Sequence, residues 1–334
     1  MSVPVIAFFN NKGGVGKTSL VYHLAWMFSD LGTRVLAADL DPQANLTAAF
    51  CDEDLLEGLW KDDARDFTIY RSIQPLVRGI GDIASAVPIL VTDNLALLPG
   101  DLLLSGFEDE LSAQWPASLS GNERAFRVLS AFWRVMQQAA AICKSDAILL
   151  DLGPNLGSIN RTGLIASDYV VIPLAPDLFS LQGLRNLGPA FDRWRREWND
   201  RLARKPDTDI PLPAGRIQPL GYVVHQHSVR LDRPVKAYDK WINRIPADYR
   251  SFVLGEVPNG ALSIKDDPHR LASLRHYRSL MPMAQEARKP MFHLKPADGA
   301  IGAHLQSAQD AYRDFKALAQ TIAVKANLTA VPAT

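Results

Sequence analysis

Short, wholly apolar runs alternate with longer amphipathic stretches along most of this chain. Residues 3–9 form the first run, and residues 20–28 then carry apolar side chains at helical spacing. Runs that are apolar on both faces are typical of parallel strands covered by helices on either side. The pattern predicts an α/β fold with strands at 3–9, 34–41, 95–98, 146–151, 166–177, 217–224 and 252–257.

Helices are predicted between these strands. The first covers residues 18–31 and ends at Gly32, a residue suited to the left-handed turn after a helix. A long apolar stripe at 125–140 indicates a core helix. Further helices are predicted at 101–111, from 179 onward, at 234–245 and at 299–323, with loops at 114–122 and 205–214.

Composition narrows the class of protein. The chain has 334 residues, and 47% of them are hydrophobic, enough for a substantial core. Its 36 basic and 36 acidic residues balance, so a nucleic acid or a membrane must be met by a local patch. Two isolated cysteines suit a reducing compartment, and neither a signal peptide nor a membrane-length apolar stretch is evident. We therefore expect a cytoplasmic, soluble protein.

The turn between the first strand and the first helix has the composition of a phosphate-binding loop. Residues 10–19 read Asn-Asn-Lys-Gly-Gly-Val-Gly-Lys-Thr-Ser, and glycines let backbone N–H groups approach phosphate oxygens closely. The helix that follows directs its positive dipole end at the same anion. By this pattern Lys17 reaches the β- and γ-phosphates, and the Thr18 hydroxyl is a ligand for Mg²⁺. A second lysine, Lys12, stands inside the loop.

Carboxylates follow two other predicted strands. Asp39 and Asp41 end the strand at 34–41, in the sequence Asp-Leu-Asp-Pro-Gln-Ala-Asn, and Asp151 ends the strand at 146–151. The carboxyl ends of parallel strands are where open α/β sheets bind ligands. An aspartate at such a strand end is suited to hold Mg²⁺ through water.

The loop Lys12-Gly-Gly-Val-Gly-Lys17-Thr-Ser resembles the deviant Walker A loop of the ParA/MinD family of P-loop ATPases, in its ParA branch. The Asp39–Asn45 segment resembles the second motif of that family, and the segment from Asp151 to Gly157 resembles the third, with Gly153 and Asn155 as departures. Val257-Pro258-Asn259 resembles the turn beside the adenine, with Asn259 in place of arginine. The resemblance covers nearly the whole chain, so we expect one three-layer P-loop NTPase domain over residues 1–330. Its segments around 51–90 and 112–124 are longer than usual in the family.

The resemblance implies ATP and Mg²⁺ as cofactors and assigns roles to the residues. Lys12, Lys17 and Asp41 are the expected catalytic residues, with Lys12 acting across a homodimer and Asp41 on the attacking water. Thr18, Asp39 and Asp151 are the expected metal site. The expected nucleotide contacts are Gly13, Gly14, Val15, Gly16, Lys17, Thr18, Ser19, Asp39, Gly153 and Pro258.

The function implied is that of a ParA-like switch: a slow ATPase that dimerises around ATP, binds DNA without sequence preference, and releases it on hydrolysis stimulated by a ParB-like or other partner. DNA partitioning or cargo positioning on a bacterial nucleoid would follow. A basic stretch at 185–205 is the candidate DNA surface. Its contact residues are expected to be Arg193, Arg195, Arg196, Arg201 and Arg204.

Two alternatives stay open. A MinD-like ATPase that cycles on membranes would need an amphipathic C-terminal anchor, and residues 305–334 do not show that pattern. A P-loop enzyme that phosphorylates or amidates a small substrate would need a substrate pocket, which the sequence does not reveal. For the basic helix, a solvated surface or an acidic protein partner is the alternative to DNA.

Overall fold

One eight-stranded sheet organises the chain. The computed structural model describes residues 2–61, 68–226, 240–257, 260, 262–277 and 279–328. The strands are β1 (Val5–Phe8), β2 (Val35–Asp39), β3 (Ile89–Thr92), β4 (Leu95–Leu98), β5 (Ala147–Asp151), β6 (Tyr169–Leu174), β7 (Gln218–Gln226) and β8 (Arg270–Arg275). They lie in the order β3-β4-β2-β5-β1-β6-β7-β8. All neighbouring pairs are parallel except β3 with β4. The predicted mostly parallel α/β sheet is confirmed.

Helices cover both faces of the sheet. They are α1 (Lys17–Asp30), α2 (Asn45–Phe50), α3 (Glu53–Trp60), α4 (Ile69–Val77), α5 (Glu108–Ala117), α6 (Glu123–Leu129), α7 (Ala131–Ile142), α8 (Ser158–Ile165), α9 (Leu178–Leu202), α10 (Ile245–Asp248), α11 (Leu280–Ala287) and α12 (Ala303–Lys325). Side chains of β1 alternate between two cores, with Val5 and Ala7 in one and Ile6 and Phe8 in the other. One core contains α4 to α9 and the other contains α1, α11 and α12. The three-layer arrangement is therefore confirmed.

The last strand lies elsewhere than predicted. Residues 252–257 are not a strand, because Tyr249–Leu254 form a π-helix that packs on α9. At this contact the backbone carbonyl of Phe252 lies 1.6 Å from the position that a Cβ on Gly188 would take. The sheet position beside β7 is filled by β8 instead.

One predicted loop and one predicted helix also need correction. The predicted loop at 114–122 is mostly helical: α5 runs to Ala117 and a 3₁₀ turn covers Ser118–Ser120. Burial of Trp115, whose ring stacks on Trp198 with centroids 6.2 Å apart, holds this segment against α9. The apolar stripe at 125–140 is divided between α6 and α7. Of the helix predicted at 234–245, residues 234–239 lie outside the described residues.

Candidate nucleotide site

The phosphate-binding loop joins β1 to α1 at the carboxyl edge of the sheet. Gly14 and Gly16 have φ of 72° and 81°, the left-handed conformation that side chains disfavour. Gly16 is the N-cap of α1 and no side chain caps this helix end. An added Cβ on Gly13 or Gly14 would meet no atom within 4 Å, so the loop borders open space. The uncapped N–H groups and the helix dipole are therefore available to an anion.

Lys17 is the buried cation of the loop. Its side chain is 7% exposed, and Nζ lies 3.4 Å from the backbone oxygen of Lys12. Burial lowers the pKa of Lys17, while the nearby carboxylates of Asp151 and Asp41 act to raise it. Val15 is buried, and Ser19 faces two clefts beside the loop. A phosphate above this loop would meet the N–H groups of the loop and the Lys17 ammonium together.

Three aspartates converge beside Lys17, because β2 and β5 are neighbours and Asp39 lies opposite Asp151 in register. Asp39 accepts hydrogen bonds from the backbone N–H of Thr47 (2.9 Å), its hydroxyl (2.8 Å) and the N–H of Asp41 (3.1 Å). Burial raises the pKa of Asp39 to about 6, although these hydrogen bonds oppose the change. Asp39 therefore holds the 39–47 segment in place, and most of its hydrogen-bonding capacity is used.

Asp151 differs from Asp39 in its hydrogen bonding. Both of its carboxylate oxygens are buried, and neither has a protein donor in hydrogen-bonding geometry. Burial, reinforced by the charge of Asp39, raises the pKa of Asp151 well above its ordinary value, although Thr18 and Lys17 act to lower it. Unpaired buried carboxylate oxygens are the feature that a bound cation or its water ligands would satisfy.

The donor set fits Mg²⁺ rather than a metal held by protein alone. Among the described residues no group of three or more His, Cys, Asp or Glu side chains could hold a metal ion. Mg²⁺ commonly keeps several waters and binds through one or two carboxylates plus the phosphates of its nucleotide. Thr18 and Asp151 would hold such an ion, while Asp39 would support the site by fixing the loop that carries Asp41.

Asp41 and Gly153 are direct neighbours in the site. A Cβ on Gly153 would lie 3.3 Å from Oδ1 of Asp41, and that same oxygen accepts the backbone N–H of Gln43 at 3.0 Å. The Gly153 carbonyl accepts a hydrogen bond from Nδ2 of Asn160 at 2.9 Å. A carboxylate 6% exposed therefore stands next to a glycine whose backbone is fixed.

Glu108 supports this region, although no sequence pattern singled it out. Its carboxylate accepts the N–H groups of Ser158 and, at 2.9 Å, of Ile159, the first two residues of α8. A carboxylate at a helix N-terminus is favoured by the unpaired N–H groups and by the dipole. Glu108 thus anchors the helix that follows the Asp151–Gly157 segment, and its distance in sequence explains why it was missed.

Two open clefts flank the loop. One lies between α1, α2 and α11 and is lined by Thr18, Ser19, Asn45 and Arg288 among others. The second is lined by Gly14, Gly16 and residues at or just after the carboxyl ends of β7 and β8. The latter group includes His225, Arg275, His276 and Tyr277.

The predicted nucleotide contact Pro258 lies outside the described residues. Its neighbour Val257 is 91% exposed. The described turn that reaches the phosphate loop follows β8 at Arg275–Tyr277, and sequence reasoning missed it because the last strand was assigned to 252–257. In this part of the chain the strand order decides which turn lies beside the loop.

The five arginines proposed to contact DNA lie on α9 or just after its C-terminal end, but they do not form one exposed surface. Arg193, Arg196 and Arg204 are exposed, whereas Arg195 is paired with Asp192. Arg201 does not fit the prediction, because it is 4% exposed and its guanidinium lies 4.0 Å from the ring centroid of Trp115. Its Nε also donates to the Trp115 carbonyl at 3.1 Å.

The Lys12 side chain contacts the start of α9 and not the three aspartates. Its ammonium forms an ion pair with Asp177, just before α9, and lies 5.9 Å from the ring centroid of Phe179. The Lys12 and Asp177 side chains are 27% and 22% exposed.

No helix among the described residues is long and apolar enough to cross a membrane.

Comparisons with known proteins identify the family of this chain. A family model described as an AAA domain, AAA_31, matches residues 3–204. The chain is 32% identical over 183 residues to the sporulation initiation inhibitor protein Soj of Bacillus subtilis, covering 55% of this chain and 62% of Soj. It is 30% identical over 198 residues to the chromosome partitioning protein ParA of Caulobacter vibrioides, covering 59% of this chain and 66% of that one. These matches span less than two thirds of either relative.

Solved structures share the fold over a longer range. Protein DIP2308 of Corynebacterium diphtheriae superimposes with a TM-score of 0.68 at 27% identity, covering 86% of this chain and 97% of its own. The ATP complex of Cyanothece McdA(D38A) gives a TM-score of 0.63 at 16% identity, covering 98% of each chain. The second likeness shows the fold alone.

Proposed function

The chain belongs to the AAA_31 family and to the ParA/MinD-type P-loop ATPases, and from this membership we propose that it is a nucleotide switch of the ParA kind. In this proposal it binds ATP with Mg²⁺, closes into a homodimer around the nucleotide, binds DNA non-specifically and is reset by slow hydrolysis. Partitioning of DNA or positioning of a cargo on a bacterial nucleoid is the role that this cycle suits. A ParB-like protein or another activator would stimulate it.

The observation that carries the proposal is the convergence of Lys17 and three aspartates on one uncapped helix N-terminus. Lys17 and the loop N–H groups bind the phosphates, and Lys17 neutralises charge that develops during phosphoryl transfer. Mg²⁺, which Thr18 and Asp151 would hold, would offset the negative charge of the phosphates. Asp151, with two unpaired oxygens, orients the waters on that side of the site.

Asp41 is the residue best placed to act on the attacking water. Its carboxylate is nearly buried, is fixed by the N–H of Gln43, and stands beside Gly153. A water held between Asp41 and the N–H of Gly153 would be oriented toward a terminal phosphate. Hydrolysis is expected to be slow, because one positioned carboxylate supplies orientation and little driving force for proton transfer.

Dimerisation is proposed from the second lysine. Lys17 already serves the phosphates of its own subunit, whereas the Lys12 ammonium is partly exposed and pairs with Asp177 instead. A cation in this position can complete the charge around a nucleotide held by a second copy of the chain. Exposed apolar side chains that follow β5 and β6, at Leu156, Leu178 and Phe179, surround the same edge and favour contact with a second copy.

DNA binding is proposed for the exposed part of the α9 surface. The candidate DNA contacts are Arg193, Arg196 and Arg204, which are exposed. Arg201 is buried and Arg195 is paired with an aspartate, so neither is included. Arginines that contact only phosphates give binding that depends on salt and not on base sequence. A dimer would double the number of contacts and steepen the salt dependence.

Nucleotide binding and sedimentation measured together test the switch. Lys17→Ala should lose nucleotide binding, because the phosphates lose their buried cation. Lys12→Ala should bind nucleotide as a monomer but should neither dimerise with a non-hydrolysable ATP analogue nor hydrolyse ATP at the normal rate. Lys61→Ala, which removes an exposed lysine from α3's end, is the matched control and should behave as wild type. Wild-type protein that stays monomeric with saturating analogue would rule out the switch.

A further inference from the structure

Arg288 adopts a backbone conformation that is unusual for its residue type. It is the C-cap residue of α11, with φ of 49° and ψ of 44°, in the left-handed region that favours glycine. Its backbone N–H donates to the carbonyl of Gln285 at 3.2 Å, in a turn of the kind that commonly ends a helix. Glycine would form this turn without strain, so the turn itself does not need an arginine. Strain of this kind is typical of functional sites, where the side chain gives the residue its role.

The Arg288 guanidinium is unpaired in the part of the chain that the structure describes. The residue is exposed, and its side chain forms no ion pair and no hydrogen bond with another described residue. The next residue, Lys289, is also basic, but its ammonium pairs with Asp298 at 2.7 Å. Of these two neighbouring cations, Arg288 is therefore the one whose charge is available to an anion.

Arg288 lines the cleft between α1, α2 and α11, and Thr18 and Ser19 line the same cleft. Thr18 and Ser19 belong to the first turn of α1, whose uncapped N-terminus is the proposed phosphate site. The cleft therefore extends from the phosphate-binding loop to the arginine. Apolar side chains, among them Ala48 of α2 and Met281 of α11, form part of the walls between them. A guanidinium and a helix N-terminus that share one cleft can bind the same anion.

His23 fixes the backbone close to Arg288 against the first turn of α1. Its Nε2 accepts the backbone N–H of Met291 at 3.2 Å, so the ring hydrogen is on Nδ1, which donates to the carbonyl of Ser19 at 2.7 Å. His23 is 3% exposed, and the ring of Phe315 stacks on it with centroids 5.1 Å apart. The segment that carries Arg288 is therefore held beside the loop. A ligand in the cleft has to order only the arginine side chain, which reduces the cost of binding.

We infer that Arg288 is a further nucleotide-binding residue, whose guanidinium binds the α-phosphate of the nucleotide in its own subunit. The inference rests on the proposed function, in which the loop binds ATP. Lys17 serves the β- and γ-phosphates. Among the described residues, those that line the cleft include Thr18 and Ser19 but not Lys17 or Gly153, so the cleft does not open at the terminal phosphate. A guanidinium suits the remaining phosphate, because two of its N–H groups can donate to two phosphate oxygens.

Arg288→Gly separates the role of the side chain from that of the fold. Glycine removes the guanidinium and relieves the left-handed backbone, so the variant should unfold at the wild-type temperature or higher. Its affinity for a fluorescently labelled ADP should fall by about 10-fold, as expected when a charge-assisted hydrogen bond is lost. A non-hydrolysable ATP analogue should lose affinity by the same factor, because both nucleotides carry the α-phosphate.

Lys144→Gly is the matched control. Lys144 is also an exposed basic residue with a left-handed backbone, at φ of 52°. It lies just before β5, and therefore at the opposite edge of the sheet from the phosphate-binding loop. The control should also unfold no earlier than wild type, and it should bind both nucleotides with wild-type affinity.

Four results would contradict the inference, and they can be told apart. Equal nucleotide affinity of Arg288→Gly and wild type would overturn it and leave the proposed function standing. A loss confined to the ATP analogue would overturn it as well, because the arginine would then serve the terminal phosphate. An equal loss in Lys144→Gly would overturn it by showing a general effect of charge. A wild-type protein that binds neither nucleotide would instead reject the proposed function, and the inference with it.

Discussion

Replacing Asp151 by Asn should stabilise the nucleotide-free protein while it removes activity. The carboxylate is fully buried, and its oxygens have no hydrogen-bond donor, so its ionised form carries an uncompensated cost of desolvation. Lys17 and Thr18 offset part of this cost, yet the pKa of Asp151 remains raised, which means that desolvation and the neighbouring Asp39 outweigh them. Asn has nearly the same shape and no charge to bury.

The sign of the pH dependence follows from the raised pKa. The folded protein binds the Asp151 proton more tightly than the unfolded chain does, so the free energy of unfolding falls as pH rises from the ordinary value of 3.8 through the folded value. A buried polar group without a hydrogen-bond partner costs about 1–3 kcal/mol. We expect Asp151→Asn to exceed wild type by an amount of that order at pH 7.5 and to approach it toward pH 4.

Urea unfolding followed by tryptophan fluorescence at several pH values measures this difference. Asp101→Asn is the matched control, since Asp101 is also buried but accepts hydrogen bonds from Thr68 (2.8 Å) and the N–H of Leu103 (2.9 Å). It should lose about 0.5–1.5 kcal/mol. With Mg²⁺ and an ATP analogue, wild type should gain more stability than Asp151→Asn. An Asp151→Asn protein less stable than wild type at pH 7.5 without nucleotide would refute the reasoning.

Three further changes test other parts of the structure. Asp41→Asn should keep nucleotide binding and reduce single-turnover hydrolysis at least tenfold, because the water loses its acceptor; normal turnover would remove Asp41 from this role. Arg193→Glu with Arg196→Glu should weaken DNA retention and reduce its salt slope without changing ATP-dependent dimerisation, and an unchanged slope would place the DNA surface elsewhere. Gly188→Ala should destabilise the fold by more than about 2 kcal/mol, since the new Cβ overlaps the Phe252 carbonyl; thermal unfolding at wild-type temperature would contradict this contact.

The amino-acid sequence alone determined the parts of this protein that depend on local chemistry. A strand, a glycine-rich turn and a helix are specified by neighbouring residues, so the loop from Asn10 to Ser19 could be recognised directly. The wholly apolar runs also predicted a covered parallel sheet. Because parallel strands place their carboxyl ends at one edge, Asp39, Asp41 and Asp151 could be assigned to the same site as the loop.

Tertiary structure decided what depends on residues far apart in the chain. The segments 252–257 and 270–275 are both short and partly apolar. The second is the strand because it pairs with β7, whereas most of the first belongs to a π-helix that packs on α9. Arg201 looks like a surface charge in sequence, yet Trp115 from another helix covers its guanidinium.

The same reason explains the states of the site residues. Asp39 and Asp151 both end buried strands, but Thr47 donates two hydrogen bonds to Asp39, whereas no protein donor is in hydrogen-bonding geometry with Asp151. Lys12 meets Asp177, 165 positions away, only because β1 and β6 are neighbours in the sheet. The local sequence pattern identifies which groups carry the chemistry. How those groups behave depends on their burial, hydrogen bonds and ion pairs, and these arise from contacts between residues that are far apart in the sequence.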